Sequence, residues 1–395
     1  MRPRILLPSL AFLAAIAAIG IWKATKINLA SKVYPASYRA SWSAGSAANY
    51  LDRREIWWQS WPVAKMDHGT VCISCHTVVP YAMIRTNLGR QLREAAQPEP
   101  EKLMLASVEK RVTNWEEMTP FYSDAVNGPG KTAESHATEA VLNAVILTSY
   151  DIQTGQLRTV TRMAIDEAWV LQEKSGRDVG GWKWQNFGLA PWESTESAYQ
   201  GAALFLLEIE IAPNDYAGEP QVEEKLKLLK QYLHGQYAAQ PLVNQLYILW
   251  LSSRVPDILS PADKAALLQA IQSAQRADGG WSLSSLDPRS NMETDRWRRL
   301  KAEIKEMVHS DPSDGYATGL VVLVLKSLGT DARNASISRG VEWLEHHQEN
   351  DGSWWAPSLN GELDPKSDIG LFMRDASTAY AVMALEDRAA QLASE

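Results

Sequence analysis

Apolar residues fall into runs along this chain, and most of these runs have helical periodicity. Residues 241–252 (PLVNQLYILWLS) and the segments AVLNAVIL and VVLVLKSL are apolar on nearly every side. Helices of this kind are buried on most sides, whereas the neighbouring segments are amphipathic and bury one face. We find no strands that would build a βαβ unit. The pattern therefore predicts an all-α protein.

The first apolar run differs from the others because it stands at the N-terminus. Arg2 and Arg4 precede it, it covers residues 5–22, and two lysines follow. This is typical of an export signal or a single membrane anchor, and the poor cleavage site favours an anchor. We expect a signal or anchor over residues 1–30 and a linker over residues 31–45. The rest should lie on the periplasmic side of the inner membrane, or free in the periplasm if the signal is cleaved.

From about residue 126 onward the chain repeats itself. A threonine at the start of an apolar helix recurs at intervals of about 60 positions or twice that, at Thr138, Thr195, Thr318 and Thr378. The apolar helix over residues 241–252 falls where the missing copy belongs. We therefore predict five repeats, each with one buried helix and one amphipathic partner.

Two repeats contain the same polar turn between these helices. It reads QRADGGW over residues 275–281 and QENDGSW over residues 348–354. Glycine can adopt the left-handed conformation that ends a helix, and the tryptophan can fold back to pack. We expect Trp281 and Trp354 to be buried.

The segment Arg339-Gly340-Val341-Glu342-Trp343-Leu344, with Gln348, Gly352 and Trp354 after it, resembles the QW repeat of squalene-hopene cyclases and related prenyltransferases. A partial copy lies at residues 270–281 and a degenerate one at 169–182. The resemblance implies that residues 126–395 form an α/α toroid of about five helical hairpins around a central cavity. It also implies that the Gln closes the end of an outer helix and that the Trp stacks on it.

The sequence departs from that family where the family's chemistry resides. Protonating cyclases carry a D-x-D-D acid, and ionising enzymes bind diphosphate and magnesium through D-D-x-x-D. This chain has no Asp-Asp pair. Terpene cyclisation is therefore disfavoured, and fold alone does not restore it.

Cys72-Ile73-Ser74-Cys75-His76 is a C-x-x-C-H run, the attachment signature of c-type haem. Each thiol can add to a haem vinyl group, and the histidine can bind the iron as an axial ligand. A thioredoxin-like dithiol and a zinc site explain less, because the chain has no βαβ pattern and no third cysteine. We predict one covalent haem c held by Cys72 and Cys75, with His76 on the iron.

Residues 46–125, which include this run, resemble a small class I cytochrome c domain with a first helix over residues 46–61. Met118, followed by Thr-Pro, stands where such domains place a ligating methionine, so we predict it as the sixth iron ligand. Its alternative role is a buried core thioether. The rival candidates are the nearer methionines Met66, Met83 and Met104. His68 is only eight residues before His76, on the loop expected to wrap the haem edge.

Several polar residues near the starts of the predicted inner helices are candidates for a cavity site. His136, Glu139 and Glu196 are the first choices, and Glu193 is a weaker one. Stabilising helix starts is the alternative role of these residues. Aromatic residues over 180–192 could line a pocket or pack between repeats, and residues 287–314 interrupt the repeat as a surface excursion.

Charge and composition restrict the partners. The net charge is −8 without any block of Lys or Arg, which argues against nucleic acid and against electrostatic attachment to anionic lipid. Membrane attachment would depend on the N-terminal segment. The expected partner is a redox protein or a small-molecule substrate.

Three functions are compatible with these observations. The first is an exported monohaem cytochrome c that transfers electrons and whose toroid binds a partner or substrate. The second is a haem-dependent oxidoreductase or peroxidase that acts on a ligand in the toroid cavity. The third is a binding or sensor module without catalysis. The sixth ligand separates the first two, since a vacant iron site admits oxygen or peroxide.

Overall fold

The computed structural model describes four stretches of the chain: residues 41–286, 312–331, 333–357 and 363–386. All of them belong to one compact unit. The predicted signal or anchor at residues 1–30, and most of the excursion predicted at 287–314, lie outside the described residues. Within the described stretches, every helix is too short or too polar to cross a membrane.

The regular structure of the described residues is helical, and extended pairing is limited to three isolated bridges, as the all-α prediction requires. Short four-residue and 3-10 helices connect the main elements. Twelve longer helices follow in order: α1 Ala44–Ser60, α2 Val78–Gln91, α3 Glu99–Thr113, α4 Lys131–Thr154, α5 Thr159–Val170, α6 Ser197–Ile209, α7 Glu223–Gln236, α8 Leu242–Leu251, α9 Pro261–Ser273, α10 Gly315–Ser327, α11 Ala335–His346 and α12 Phe372–Leu385.

The even-numbered helices form a closed inner ring. Each packs against the next, from α2 through α4, α6, α8 and α10 to α12, and α12 packs back against α2. The odd-numbered helices lie outside, each against an inner helix beside it. The described residues therefore form an α/α toroid.

Burial follows the hydrophobic pattern of the sequence. In α10 every residue from 315 to 325 is buried, because this helix contacts neighbours on all sides. The outer helix α7 buries only Leu226, Leu229, Tyr232 and Leu233, which lie three or four positions apart on one face. The remaining faces of the outer helices are polar and meet solvent.

The turns that run from a glutamine to a tryptophan have the same geometry at three places, residues 172–182, 275–281 and 348–354. The three tryptophans are at most 2% exposed, so the predicted burial of Trp281 and Trp354 is confirmed. Each indole Nε1 donates to the carbonyl four positions before the glutamine: Trp182 to Ala168 (2.6 Å), Trp281 to Ile271 (2.8 Å) and Trp354 to Leu344 (2.8 Å).

The glutamines of these turns link successive outer helices. Each Nε2 donates to a turn glycine carbonyl and to a carbonyl at the start of another outer helix: Gln172 to Gly180 and Lys225, Gln275 to Gly279 and Ser336, Gln348 to Gly352 and Ser43. Gly279 and Gly352 have φ values of 94° and 97°, which favour glycine at these turns.

The five inner helices predicted after residue 126 coincide with α4, α6, α8, α10 and α12. A sixth inner helix, α2, comes from residues 46–125, the segment predicted to be a separate haem domain. In that segment α1 begins at Ala44, two residues before the predicted start. The segment lies in the same compact unit as the rest of the ring. These observations do not test haem binding, and a cytochrome c-like domain at residues 46–125 stays a prediction.

Candidate functional site

The C-x-x-C-H sequence occupies the loop that leads into inner helix α2. The Cys72 N–H donates to the Ala64 carbonyl (2.8 Å), and the Trp58 indole donates to the Cys72 carbonyl (2.8 Å). The Ser74 hydroxyl accepts the N–H of Val78 at the start of α2 (3.0 Å). These bonds hold the loop in one conformation, at the end of the ring where the inner helices begin.

Both cysteines carry free thiols that keep some accessible surface. Burial raises the pKa of the Cys72 thiol well above its usual value, and it raises that of Cys75 in the same direction. A reactive dithiol needs the opposite shift, because the thiolate is the nucleophile. The described residues also contain no group of three or more His, Cys, Asp and Glu that could hold a metal ion, as a zinc site requires.

His76 lies among aromatic side chains. The Phe372 ring stacks on its imidazole at 3.8 Å between centroids and an angle of 20°. Trp58 approaches edge-on at 5.3 Å, and Trp192 lies at 5.9 Å. Burial, and to a lesser degree the positive charge of Arg54, lowers the pKa of His76 to about 3. The imidazole is therefore neutral at neutral pH, which is the form that binds metals.

A hydrogen-bonded chain connects His76 to the last inner helix. His76 Nδ1 lies 2.9 Å from the Thr77 hydroxyl, which donates to Asp375 Oδ2 at 2.7 Å. Asp375 Oδ1 accepts from the Tyr50 hydroxyl (2.9 Å) and from Arg54 Nε (2.8 Å). Burial raises the pKa of Asp375, while Arg54, Thr77 and Tyr50 act in the opposite direction.

Sequence reasoning missed Thr77 and Asp375. Thr77 directly follows the motif but belongs to no repeat. Asp375 lies 298 positions further along the chain and has no partner nearby in sequence. No local signal could have identified this pair, because α12 meets α2 only when the ring closes.

Glu139, predicted as a cavity residue, forms a buried ion pair with Arg111. Arg111 Nε and Nη2 donate to its two carboxylate oxygens at 2.6 and 2.9 Å. Arg111 is 0% exposed, and its Nη1 also donates to the Thr70 hydroxyl beside the motif. The charge of Glu139 contributes to the raised pKa of the Cys72 thiol, so this ion pair lies close to the motif.

The other predicted cavity residues have different surroundings. His136 stacks on Trp115 at 4.5 Å and 12°, and its buried Nε2 has no hydrogen-bond partner among the described residues. Glu196 stands at the start of α6, where its backbone carbonyl accepts from Asn244. The carboxylate of Glu193 contributes to the raised pKa of both thiols, so this residue lies close to the two cysteines.

Met118 is buried at 5% exposure and follows a short 3-10 helix. The next residue, Thr119, donates its N–H to Asp67 Oδ2 at 2.8 Å, which ties this segment to the turn before the motif. His68, on the same turn, is exposed and pairs with Glu117. Met118 as the sixth ligand stays a prediction.

Side chains fill the middle of the ring. The Tyr247 hydroxyl lies 3.0 Å from that of Tyr316 and 2.8 Å from that of Tyr380, and it accepts from Gln200 Nε2 at 2.7 Å. These four residues come from α6, α8, α10 and α12. The resemblance implied an open central cavity. In the structure a packed cluster of these polar side chains occupies the middle of the ring.

A small cavity remains between this cluster and the motif. Its volume is about 20 Å³, and Cys75, Leu142, Trp184, Trp192 and Tyr380 line it, among others. That is room for about one water molecule. Two tryptophans of the predicted aromatic pocket therefore line a cavity, but one without space for a large ligand.

Two comparisons with known proteins bear on this arrangement. Residues 314–394 match the family model of the squalene-hopene cyclase C-terminal domain. A stretch of 102 residues is 33% identical to sporulenol synthase of Bacillus subtilis (strain 168), and it covers 26% of this chain and 16% of that protein. The matched part spans less than a fifth of the relative's length. Both comparisons support the cyclase-like toroid.

Proposed function

We propose that this chain is an exported c-type cytochrome whose haem site is built into a cyclase-like toroid. Cys72 and Cys75 would carry one covalent haem, and His76 would bind its iron. When bound, the haem supplies reversible one-electron transfer. The proposed partner is a redox protein or a small reducible or oxidisable molecule, on the periplasmic side of the inner membrane.

The observation that carries this proposal is that His76 is neutral and follows two cysteines with free thiols. Its Nδ1 is engaged with Thr77, so Nε2 is the nitrogen left for a metal. The Phe372 ring covers one face of the His76 imidazole. A metal would bind a ring nitrogen in the plane of the imidazole, so Phe372 does not block it. Thr77, Phe372 and Trp58 would orient the ligand and restrict water around it.

The donor set suits haem c, whereas the cavity of about 20 Å³ behind Cys75 does not suit a macrocycle. A haem on these thiols would use the accessible surface that Cys72 and Cys75 keep. The thiols contribute to the raised pKa of Tyr122, and Glu193 contributes to the raised pKa of both thiols, so these two side chains would be neighbours of such a group. The tyrosine cluster would separate it from the rest of the ring.

The test is covalent haem retention. The full-length chain is produced with a c-type maturation system, extracted with acid-acetone, and assayed for iron and for the haemochrome spectrum in alkaline pyridine. We expect one haem per chain that resists extraction. Cys72→Ala and Cys75→Ala should each shift the haemochrome band and reduce retention, whereas the control Met163→Ala, at an exposed methionine of α5, should not. Complete extraction of haem from the wild-type protein would contradict the proposal.

The comparisons favour a second candidate, cyclisation of a linear polyprene. Against it stand the missing Asp-Asp pair and the tyrosine cluster that fills the ring. Incubation of the haem-free Cys72→Ala/Cys75→Ala double variant with squalene, followed by gas chromatography and mass spectrometry, separates the two functions. Cyclised product from this variant would favour the second candidate.

A further inference from the structure

We infer that the cavity beside Cys75 is a binding site for one water molecule, which Gln200 and Tyr380 hold. The cavity has a volume of about 20 Å³, and residues of the motif loop, α2, α4, α6 and α12 line it. A buried water needs about this much room and roughly two to four polar partners. The inference is independent of the proposed function, because the two residues that hold the water belong to inner helices α6 and α12.

Gln200 carries the first polar group that a water would satisfy. This side chain is 3% exposed and lines the cavity. Its Nε2 donates to the Tyr247 hydroxyl at 2.7 Å, whereas its buried Oε1 has no hydrogen-bond partner among the described residues. Buried polar atoms in folded proteins nearly always have a partner, which is either protein or water. Gln200 Oε1 therefore requires a donor, and the cavity has room for one.

The tyrosine cluster supplies the second polar group. The Tyr247 hydroxyl contacts those of Tyr316 (3.0 Å) and Tyr380 (2.8 Å). Three hydroxyls carry three protons, and these two contacts use only two of them. Tyr247 already accepts from Gln200, so it accepts from one tyrosine and donates to the other. The tyrosine that receives this proton keeps its own hydroxyl proton without an acceptor in the cluster.

The cavity assigns this remaining proton to Tyr380. Of the two neighbours of Tyr247, Tyr380 lines the cavity, and Tyr316 is not among its lining residues. With Tyr316 donating to Tyr247 and Tyr247 donating to Tyr380, the Tyr380 hydroxyl donates to the water. The water in turn donates to Gln200 Oε1. The thiol of Cys75 also lines the cavity and provides a weak third partner.

The site does not depend on the orientation of the Gln200 amide. If its oxygen and nitrogen exchange places, the oxygen accepts from Tyr247, and both Tyr316 and Tyr380 can donate to Tyr247. The amide nitrogen then occupies the buried position that lacks a partner among the described residues, and it donates to the water. In both orientations, one polar group of Gln200 needs the water.

The water completes the hydrogen-bond network that joins α6, α8, α10 and α12 at the centre of the ring. A molecule in this site must be small and must both donate and accept hydrogen bonds, as water does. A linear polyprene offers no such bonds. It could enter the ring only by displacing the water and separating the tyrosines, so the site also argues against the second candidate function.

The test combines a high-resolution crystal structure of the full-length chain with oxygen-17 magnetic relaxation dispersion, which counts slowly exchanging water molecules. We expect density for one water within hydrogen-bond distance of the Gln200 and Tyr380 side chains. Gln200→Met keeps the length of the side chain and removes the amide, and Tyr380→Phe removes only the hydroxyl. Each variant should lose this density and one slowly exchanging water.

Tyr199→Phe is the matched control. Tyr199 is 1% exposed and belongs to α6, but its hydroxyl donates to the Leu233 carbonyl at 3.0 Å, and it is not among the residues that line the cavity. This variant should keep the water, although its stability falls.

Two outcomes would overturn the inference: a wild-type cavity without density, or density that stays unchanged in both Gln200→Met and Tyr380→Phe. If one of these variants fails to fold, the other decides, because each removes a different partner of the same water. The haem extraction assay is a separate measurement, so failure of the proposed function is recognised independently.

Discussion

Gln348 and Ser43 exchange two hydrogen bonds across 305 positions of the chain. The Ser43 N–H donates to Gln348 Oε1 at 2.7 Å, and Gln348 Nε2 donates back to the Ser43 carbonyl at 3.1 Å. Ser43 is the N-cap of α1, and Gln348 stands in the turn after α11. The first and last outer helices of the ring are therefore joined by one side chain.

Gln348→Ala should destabilise the fold more than Gln275→Ala does. Both glutamine side chains make three hydrogen bonds, but Gln348 is 0% exposed whereas Gln275 is partly exposed, and a buried hydrogen bond contributes about 1 kcal/mol. We expect a loss of about 2–4 kcal/mol in the free energy of unfolding, measured by urea denaturation. Hydrogen exchange should also show early loss of protection in α1. Equal effects of the two variants, with α1 still protected, would contradict a closing role for Gln348.

Glu139→Ala should be strongly destabilising, because it leaves Arg111 buried without its partner. Loss of one member of a buried ion pair costs about 3–5 kcal/mol. Glu196→Ala is the control, since this residue is partly exposed and should cost under about 1 kcal/mol. Thermal unfolding of both variants checks the prediction. A stable Glu139→Ala protein with an altered haem spectrum would instead assign Glu139 to the site.

The contribution of Glu55 to stability should fall as pH rises. Glu55 is 0% exposed, and burial is the main cause that raises its pKa to about 8, with smaller contributions from Asp375 and Asp52, while Gln59 acts against them. The folded state therefore binds a proton that the unfolded chain releases between about pH 4.5 and 8, so the contribution is complete at low pH and is lost through this window.

Glu55→Gln should remove this dependence. We expect it to match wild type near pH 5 and to exceed it near pH 9, by roughly 1.4 kcal/mol for each unit of pKa difference removed. Urea denaturation between pH 5 and pH 9 measures this, and Glu223→Gln, at an exposed carboxylate, serves as control. Parallel pH profiles for wild type and Glu55→Gln would show that Glu55 does not titrate in this range.

Hydrophobic periodicity predicts five of the six inner helices but not α2. That helix carries Arg85 and Asn87 at buried positions, so it lacks the apolar pattern of its neighbours. Arg85 is tolerated there because Asp52 and Glu94 bind its guanidinium at 2.7 and 2.8 Å. The partner Asp52 comes from α1, and such pairing between elements leaves no trace in the local pattern of the sequence.

The candidate site also has one part that the sequence predicts and one part that it does not. Cys72, Cys75 and His76 are adjacent and form a motif with a chemical meaning of its own. Asp375 joins the site only by its contact with Thr77 across the closed ring. The packed centre was also unpredictable, because single tyrosines on separate helices do not reveal that their hydroxyls meet.

Met118→Ala should convert the haem from a saturated to an open iron. A thioether ligand gives oxidised haem a weak charge-transfer band at the red end of the spectrum and stabilises ferrous iron, so loss of the ligand should abolish the band and lower the potential. The bond from Thr119 to Asp67 ties this segment to the turn before the motif, which supports the choice of Met118. Met383→Ala, at a core methionine of 1% exposure in α12, is the matched control.

Carbon monoxide then distinguishes electron transfer from oxygen or peroxide chemistry. The reduced wild-type protein should not bind carbon monoxide, because both axial positions are filled, whereas Met118→Ala should bind it readily. If the charge-transfer band survives in Met118→Ala, another methionine is the ligand, and Met66, Met83 and Met104 are the next to replace. Wild-type protein that binds carbon monoxide and lacks the band has an open site, and the haem-dependent oxidoreductase then becomes the better interpretation, since substrate can reach the iron directly.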